Sequence, residues 1–271
     1  MRWQLSSVIC RLCFFSVILP YFGLQGESCR YPLAVMSALS GADLDMGQLV
    51  EIKSMGDGIG GGRGVFAKRD IRAGEVVFAD IPLLATEESE PDSKELLHVQ
   101  LARRVLQSEQ RETLLQQLAC LYPQSLSELT PEILEKARAK HGGTLAYLAS
   151  IQAAPAMPAD DVLLVLLKVC FSAFCGGIYV RKAMLNHACR PNCIAFQPGQ
   201  RTSSDGRVLS AAASEVVATR SIAAGEEVTI CYFVPAERSR PGRARLFEEQ
   251  HLCALGPSGW PREMDSLVGD V

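Results

Sequence analysis

Residues 185–193 read LNHACRPNC, which sets an asparagine, a histidine, a proline and two cysteines close together. Three uses suit such a segment. Zinc takes four donors; His187, Cys189 and Cys193 offer some, and Cys231 or Cys253 would have to complete the set. The spacing is not that of a zinc finger and Pro191 stiffens it, so no metal is expected here. A Cys–His nucleophilic pair needs a third group to orient the base, and none is evident beside His187 and Cys189. What remains is a rigid segment that shapes a ligand site. Two further stretches bear on it. GDGIGGGRG (56–64) holds six glycines in nine residues, and glycine lets backbone come close to a ligand; 56–61 reads as a flexible linker, 62–64 as something more specific. EEVTICYF (226–233) is a strand pattern that delivers Tyr232 to its end.

The elements around these stretches follow from periodicity. LVEIKSM (49–55) reads as a strand, and GVFAKRD and EVVFADIPLL as two β-type runs joined by IRAGE. The phrase recurs: VFAKRDIRAGEVV (65–77) aligns without gaps with VVATRSIAAGEEV (216–228). A single pair is no solenoid; it predicts two similar hairpins, one at each end of one β domain. Between them lies a helical block. Residues 93–119 carry apolar positions at helical spacing with Ser93 as cap, and 130–143 has Thr130 as cap, Pro131 in the first turn and Gly142 as stop. Asp160 or Asp161 opens DVLLVLLKVCFSAFCGG, which ends at Gly176–Gly177. Its length and Lys168 in mid-run favour a buried core helix over a membrane span. Strands resume at 193–199 and 207–222, separated by a turn at Asp205–Gly206, and at 226–233. The order β, helices, β predicts an α+β domain with a helical insertion at about 93–175.

The chain has 271 residues, of which 48% are hydrophobic, enough to bury a sizeable core. A net charge of −3 does not describe a nucleic-acid binder, and RSRPGRAR (238–245) reads as a solvated loop entering a helix. Ten cysteines do not space as a secreted disulfide framework. Cys170, Cys175 and Cys231 sit in apolar runs, and Cys10–Cys13 is a lone CxxC. The body of the chain therefore reads as a reduced protein of the cytoplasm or nucleus. Arg2 and Arg11 precede an apolar run at 12–24 that resembles a signal peptide with a poor cleavage site, so secretory or organellar targeting by 1–26 stays open. Met36 or Met46 is the alternative start. Residues 1–45 are placed outside the fold, 46–253 form the domain with its insertion, and 254–271 are a tail.

Taken together, GRGVFA (62–67), LNHACRPNC (185–193) and GEEVTICYF (225–233) resemble, in order and wording, the three signature segments of SET-domain protein-lysine methyltransferases. An insertion of this size between the first two resembles the SET-and-MYND type. The resemblance implies a β-clip fold with a pseudoknot, in which the Asn-His segment is tucked under the strand ending in Tyr232. It implies S-adenosyl-L-methionine as cofactor, contacted by the backbone of Gly62, Arg63 and Gly64 and, on the adenosine side, by Asn186 and His187. Cys189, Pro191 and Asn192 would fix the shape of the segment, and Tyr232 would be the catalytic tyrosine. The implied partner is a protein substrate presenting a histone or non-histone lysine to a monomeric enzyme, with neither nucleic acid nor membrane engaged. The sequence departs from the pattern at Ala183 and Ala188, where serine is usual, and at Phe171, near where a cofactor-binding asparagine is common. The MYND cysteines and the post-SET cysteines are missing, apart from Cys253. A catalytically inactive SET-like interaction module is the alternative.

Overall fold

The computed structural model describes residues 44–55, 62–85, 95–153, 155–174, 176–188, 190–196 and 213–232, with Gly242, Arg245, Leu246, Glu248 and Glu249 beyond them. The signal-like stretch, the linker at 56–61, Ser93, the turn at Asp205–Gly206 and the tail after 254 lie outside the described residues. So do Cys10, Cys13, Cys175, Cys189 and Cys253.

In chain order the elements are β1 (Val50–Ser54), β2 (Arg63–Ala67), β3 (Val76–Asp80) and β4 (Leu84–Ala85), then helices α1 (Leu97–Gln107), α2 (Arg111–Leu118), α3 (Pro131–Ile151) and α4 (Ala159–Ser172). Strands β5 (Ala173–Phe174), β6 (Gly177–Ile178), β7 (Asn186–His187), β8 (Cys193–Ala195), β9 (Ser214–Ala218) and β10 (Glu227–Ile230) follow. The strands form a four-stranded sheet in the order β1-β2-β10-β7 and two three-stranded sheets, β3-β9-β8 and β4-β6-β5. This is the α+β order expected, with four helices inserted between the strands. The core is drawn from both parts: Val50, Val65, Val216 and Val228 from the strands, Leu101, Val105, Leu166 and Val169 from the helices, all buried. Leu44 and Met46 are buried with them.

The repeated phrase folds differently from the two separate hairpins expected. β2 does not pair with β3, nor β9 with β10. Each strand that enters a turn pairs with the strand that leaves the other copy's turn: β2 with β10, Phe66 opposite Glu227, and β9 with β3, Val217 opposite Val76. The two turns meet at their middles, where Ile71 and Ile222 exchange backbone hydrogen bonds of 2.8 and 2.9 Å. Isoleucine suits the crossing, since both side chains are buried there. The swap lets each copy satisfy the other's backbone, so neither is stable as an isolated two-stranded unit.

The helices show where local signals win and where packing overrides them. Thr130 caps α3 as expected, its Oγ1 accepting from Ile133 N at 3.3 Å, with Pro131 in the first turn. Gly142 does not stop it: α3 runs through Gly142 and Gly143 to Ile151. Each helical glycine costs about 1 kcal/mol, and burial of Ala137, His141 and Leu148 along the helix offsets it. The single helix expected from 93 is two, broken at Ser108–Gln110, where Ser108 Oγ accepts from Gln110 N. α1 starts at Leu97 without a side-chain cap. α4 ends at Ser172, short of the glycines, and its first turn holds Asp160 and Asp161 at the positive end of the helix dipole.

Lys168 lies buried in α4 because it has an assignment. Its ammonium donates to the carbonyls of Leu118, Ala119 and Leu121, which end α2. Helix C-terminal carbonyls lack intrahelical donors and carry partial negative charge. Burial lowers the Lys168 pKa to about 8. Among the described residues no helix is long and apolar enough to cross a membrane.

Candidate functional site

β10 brings the separated segments together. On one side it runs antiparallel to β2, with Val228 opposite Val65. On the other it runs parallel to β7, with Thr229 opposite Asn186 and Ile230 opposite His187. Parallel neighbours need a long connection between them, which is why residues so far apart in the chain can share one edge.

The Asn186 carboxamide ties three segments at one point. Its Nδ2 donates at 2.8 Å to the Arg63 carbonyl and at 2.8 Å to Glu227 Oε1, and the Met55 thioether lies 3.4 Å away. Glu227 explains why residue 64 is a glycine: a Cβ there would stand 2.7 Å from Glu227 Oε1 and 3.1 Å from the Phe66 ring. Gly62 is different. A Cβ on it would meet nothing within 4 Å, so packing does not demand a glycine there. Arg63 faces two ways. Its carbonyl serves Asn186, while its guanidinium leaves the site to donate to Cys120 O at 2.6 Å, anchoring the helical block to β2. Burial pushes the pKa of that guanidinium down.

His187 and Tyr232 form a second knot. The Tyr232 backbone N–H donates to His187 Nδ1 at 3.1 Å, and the two rings lie 5.4 Å apart at 50°. With Nδ1 accepting, a neutral His187 carries its proton on Nε2. The Tyr232 hydroxyl donates to the Leu185 carbonyl at 2.5 Å. Burial, with the Glu227 charge adding to it, holds the phenol well above its ordinary pKa. Tyr232 is therefore a neutral hydroxyl fixed by Leu185 O, not a base at physiological pH.

Asn192, which the sequence singles out only for shape, stitches the segment to β10. It is buried; its Nδ2 donates to Glu226 Oε1 and Glu227 O, and its Oδ1 accepts from Thr229 N at 2.8 Å. The chain thus passes from β7 on one sheet to β8 on another across a crossing locked by one side chain. Cys193 is buried on β8, and burial lifts its thiol to about 12, which does not suit a nucleophile. Leu185 and Glu227 were missed in the sequence. Leu185 acts through its carbonyl, which no side-chain pattern reports; Glu227 is signalled only by the break in the repeat, where its counterpart is Val76.

All the sequence-derived site residues fall in this one region: Gly62, Arg63 and Gly64 on or beside β2, Asn186 and His187 on β7, and Tyr232 just past β10. One polar atom stays open. Among the described residues no hydrogen bond reaches Asn186 Oδ1, although its Nδ2 is fully engaged.

Residues 62–233 match the family model of the SET domain. No curated protein matches the chain significantly. Among solved structures, Rubisco LSMT bound to AdoMet is 16% identical, with a TM-score of 0.41 over 69% of this chain and 49% of that one. The SET domain of LSMT bound to lysine and AdoHcy is 11% identical, with a TM-score of 0.40 over 69% and 49%. The chain spans about half the length of both. A Plasmodium falciparum chain provisionally named a histone methyltransferase is 12% identical, with a TM-score of 0.29 over 68% of this chain and 97% of its own.

Proposed function

The chain belongs to the SET domain family, and from this premise we propose that it is an S-adenosyl-L-methionine-dependent methyltransferase acting on lysine side chains of proteins. One observation carries the reading: Asn186 joins the Arg63 carbonyl to Glu227, in a sheet whose β10 leads directly to the Tyr232 hydroxyl on Leu185 O. Two features fit a cofactor at that place. Asn186 Oδ1 is an acceptor without a partner among the described residues, and the space beside Gly62 is open. The backbone of Gly62, Arg63 and Gly64, with Asn186 and His187, would hold the cofactor. The sulfonium supplies a methyl already activated for transfer.

The residues present have the remaining work. A lysine amine attacks only when uncharged, yet its ordinary pKa is about 10.4, so the site must favour the neutral form by excluding water. Tyr232 serves by position: its hydroxyl, held by the hydrogen bond it donates to Leu185 O, orients the incoming amine. Alignment alone supplies a large part of a rate enhancement. The insertion of α1–α4 between the first and second signatures supports reading the chain as resembling the SET-and-MYND type.

The test uses the full chain. Calorimetry should detect S-adenosyl-L-methionine binding that Asn186→Ala abolishes, and labelled cofactor with cell lysate should place label on protein lysines. No binding by the unaltered chain ends the proposal; binding without transfer to any protein leaves a non-catalytic SET-like module.

A further inference from the structure

The helical block holds a cluster that the methyltransferase reading does not use. His98 at the start of α1, His141 in the middle of α3 and Cys170 near the end of α4 converge, their donor atoms all within 4.8 Å of one another. We propose that this cluster is a binding site for a thiophilic divalent cation, zinc, which clasps the three helices of the insertion.

The geometry is close to what the ion requires. Zinc–nitrogen bonds of about 2.0–2.1 Å and zinc–sulfur bonds of about 2.3 Å put tetrahedral donors roughly 3.3–3.7 Å apart. Donors already within 4.8 Å need only side-chain adjustment to reach that, because each sits on a helix packed against the other two. Two imidazoles and a thiolate select zinc over the hard cations calcium and magnesium, which prefer oxygen. Three protein donors leave the fourth position for water.

A second observation separates the cluster from ordinary packing. His141 is 5% exposed and His98 half-buried, their rings edge to face at 6.0 Å and 80°. Among the described residues no hydrogen bond reaches either ring, so the acceptor nitrogen of each neutral imidazole is available to a ligand. A cation would occupy the two acceptor lone pairs. Burial already keeps both rings neutral, His141 down to about 4, and so in the form that binds metal. Two features oppose binding. Burial raises the Cys170 thiol to about 12, so the ion has to displace its proton. The Lys140 ammonium lies near all three groups, but it is engaged by the Glu249 carbonyl.

The experiment reads metal, not methylation, so its outcome is independent of the catalytic proposal. Full-length protein without a histidine tag is loaded with zinc chloride, dialysed against metal-free buffer and subjected to elemental analysis. About one retained zinc per chain is expected, with zinc raising the Tm and a chelator reversing the rise. Cys170→Ser and His98→Gln, both close in shape to the residues they replace, should each weaken retention at least tenfold while keeping the helical circular dichroism. Cobalt chloride titrated into the unaltered chain should give a thiolate charge-transfer band, a readout that needs no variant to fold. Equal zinc retention by the Cys170→Ser/His98→Gln double variant, or cobalt binding without the thiolate band, overturns the proposal.

Discussion

The two copies of the repeated phrase are nearly superposable in chemistry, yet only one builds the site. In the first, Arg69 pairs with Glu75 at 2.6 Å and Glu75 accepts from Arg72 N at 3.0 Å. In the second, Arg220 pairs with Glu226 at 2.6 Å and Glu226 accepts from Ala223 N at 3.1 Å. Gly74 and Gly225 turn the chain at φ 83° and 81°, and each donates to the other copy's entering strand, to Ala218 O and Ala67 O. The copies part company after the turn. Where the first has Val76, Phe78 and the exposed Ile81, the second has Glu227, Thr229 and Tyr232. Glu227 takes the Asn186 amide, Thr229 lies opposite Asn186 across the strands, and Tyr232 reaches Leu185 O. The first copy also holds the 180s segment, but by a structural bond: Asp80 Oδ2 accepts from the buried Lys182 N at 2.9 Å. One turn architecture thus serves as scaffold twice, and chemistry is added by the side chains of one outgoing strand.

Swapping those side chains tests this contrast. Tyr232→Phe should lower methyl transfer by about 100-fold or more, the scale of lost transition-state positioning, with cofactor affinity unchanged by calorimetry; Ile81→Phe should change neither. Full activity in Tyr232→Phe would sink the catalytic assignment. Next, Glu227→Val makes the second copy resemble the first. It leaves a half-buried Asn186 N–H without its carboxylate, a loss of about 1–3 kcal/mol, so cofactor affinity should fall at least tenfold. Val76→Glu, the reciprocal change, should leave affinity untouched.

The turns themselves should behave alike. A Cβ at Gly74 or Gly225 meets nothing within 4 Å, so only the left-handed backbone opposes alanine, at about 1–2 kcal/mol. Denaturant unfolding of Gly74→Ala and Gly225→Ala should give equal losses; a difference above about 1 kcal/mol would show that the turns are not equivalent. The smallest effect concerns acid. The hydrogen bonds from Arg69 and Arg220 hold Glu75 and Glu226 below the usual carboxylate range. Because the folded pKa is depressed, the stability is present above the unfolded value of about 4.3 and is lost as pH falls through the folded value. Both pairs are partly exposed, so the contribution is modest and screened by salt. Glu75→Gln and Glu226→Gln should each flatten the Tm profile below about pH 4.3. Glu226→Gln should also lower Tm at neutral pH, since Glu226 accepts from Asn192.

Much of the protein was legible in the sequence because it depends on local chemistry. Thr130 and Pro131 start a helix wherever they precede such a pattern. The alternation in β2 and β10 sets their buried faces, and the residues around Asn186 and Tyr232 carry a recognisable wording. Gly142 misled because a helix-stop signal is weak against packing along the rest of α3. The exchange of strands between the copies was illegible because pairing choice is a long-range matter: the same two phrases satisfy local rules as hairpins or as partners. Asn186 reaching Arg63 O, Leu185 O accepting from the Tyr232 hydroxyl, and His98 meeting His141 and Cys170 from three helices all join residues that no spacing connects. Composition and short-range pattern determined which elements exist and which side chains were available. The tertiary structure alone decided which of them meet, because a hydrogen bond or a metal site is fixed by distance in space and not by separation along the chain.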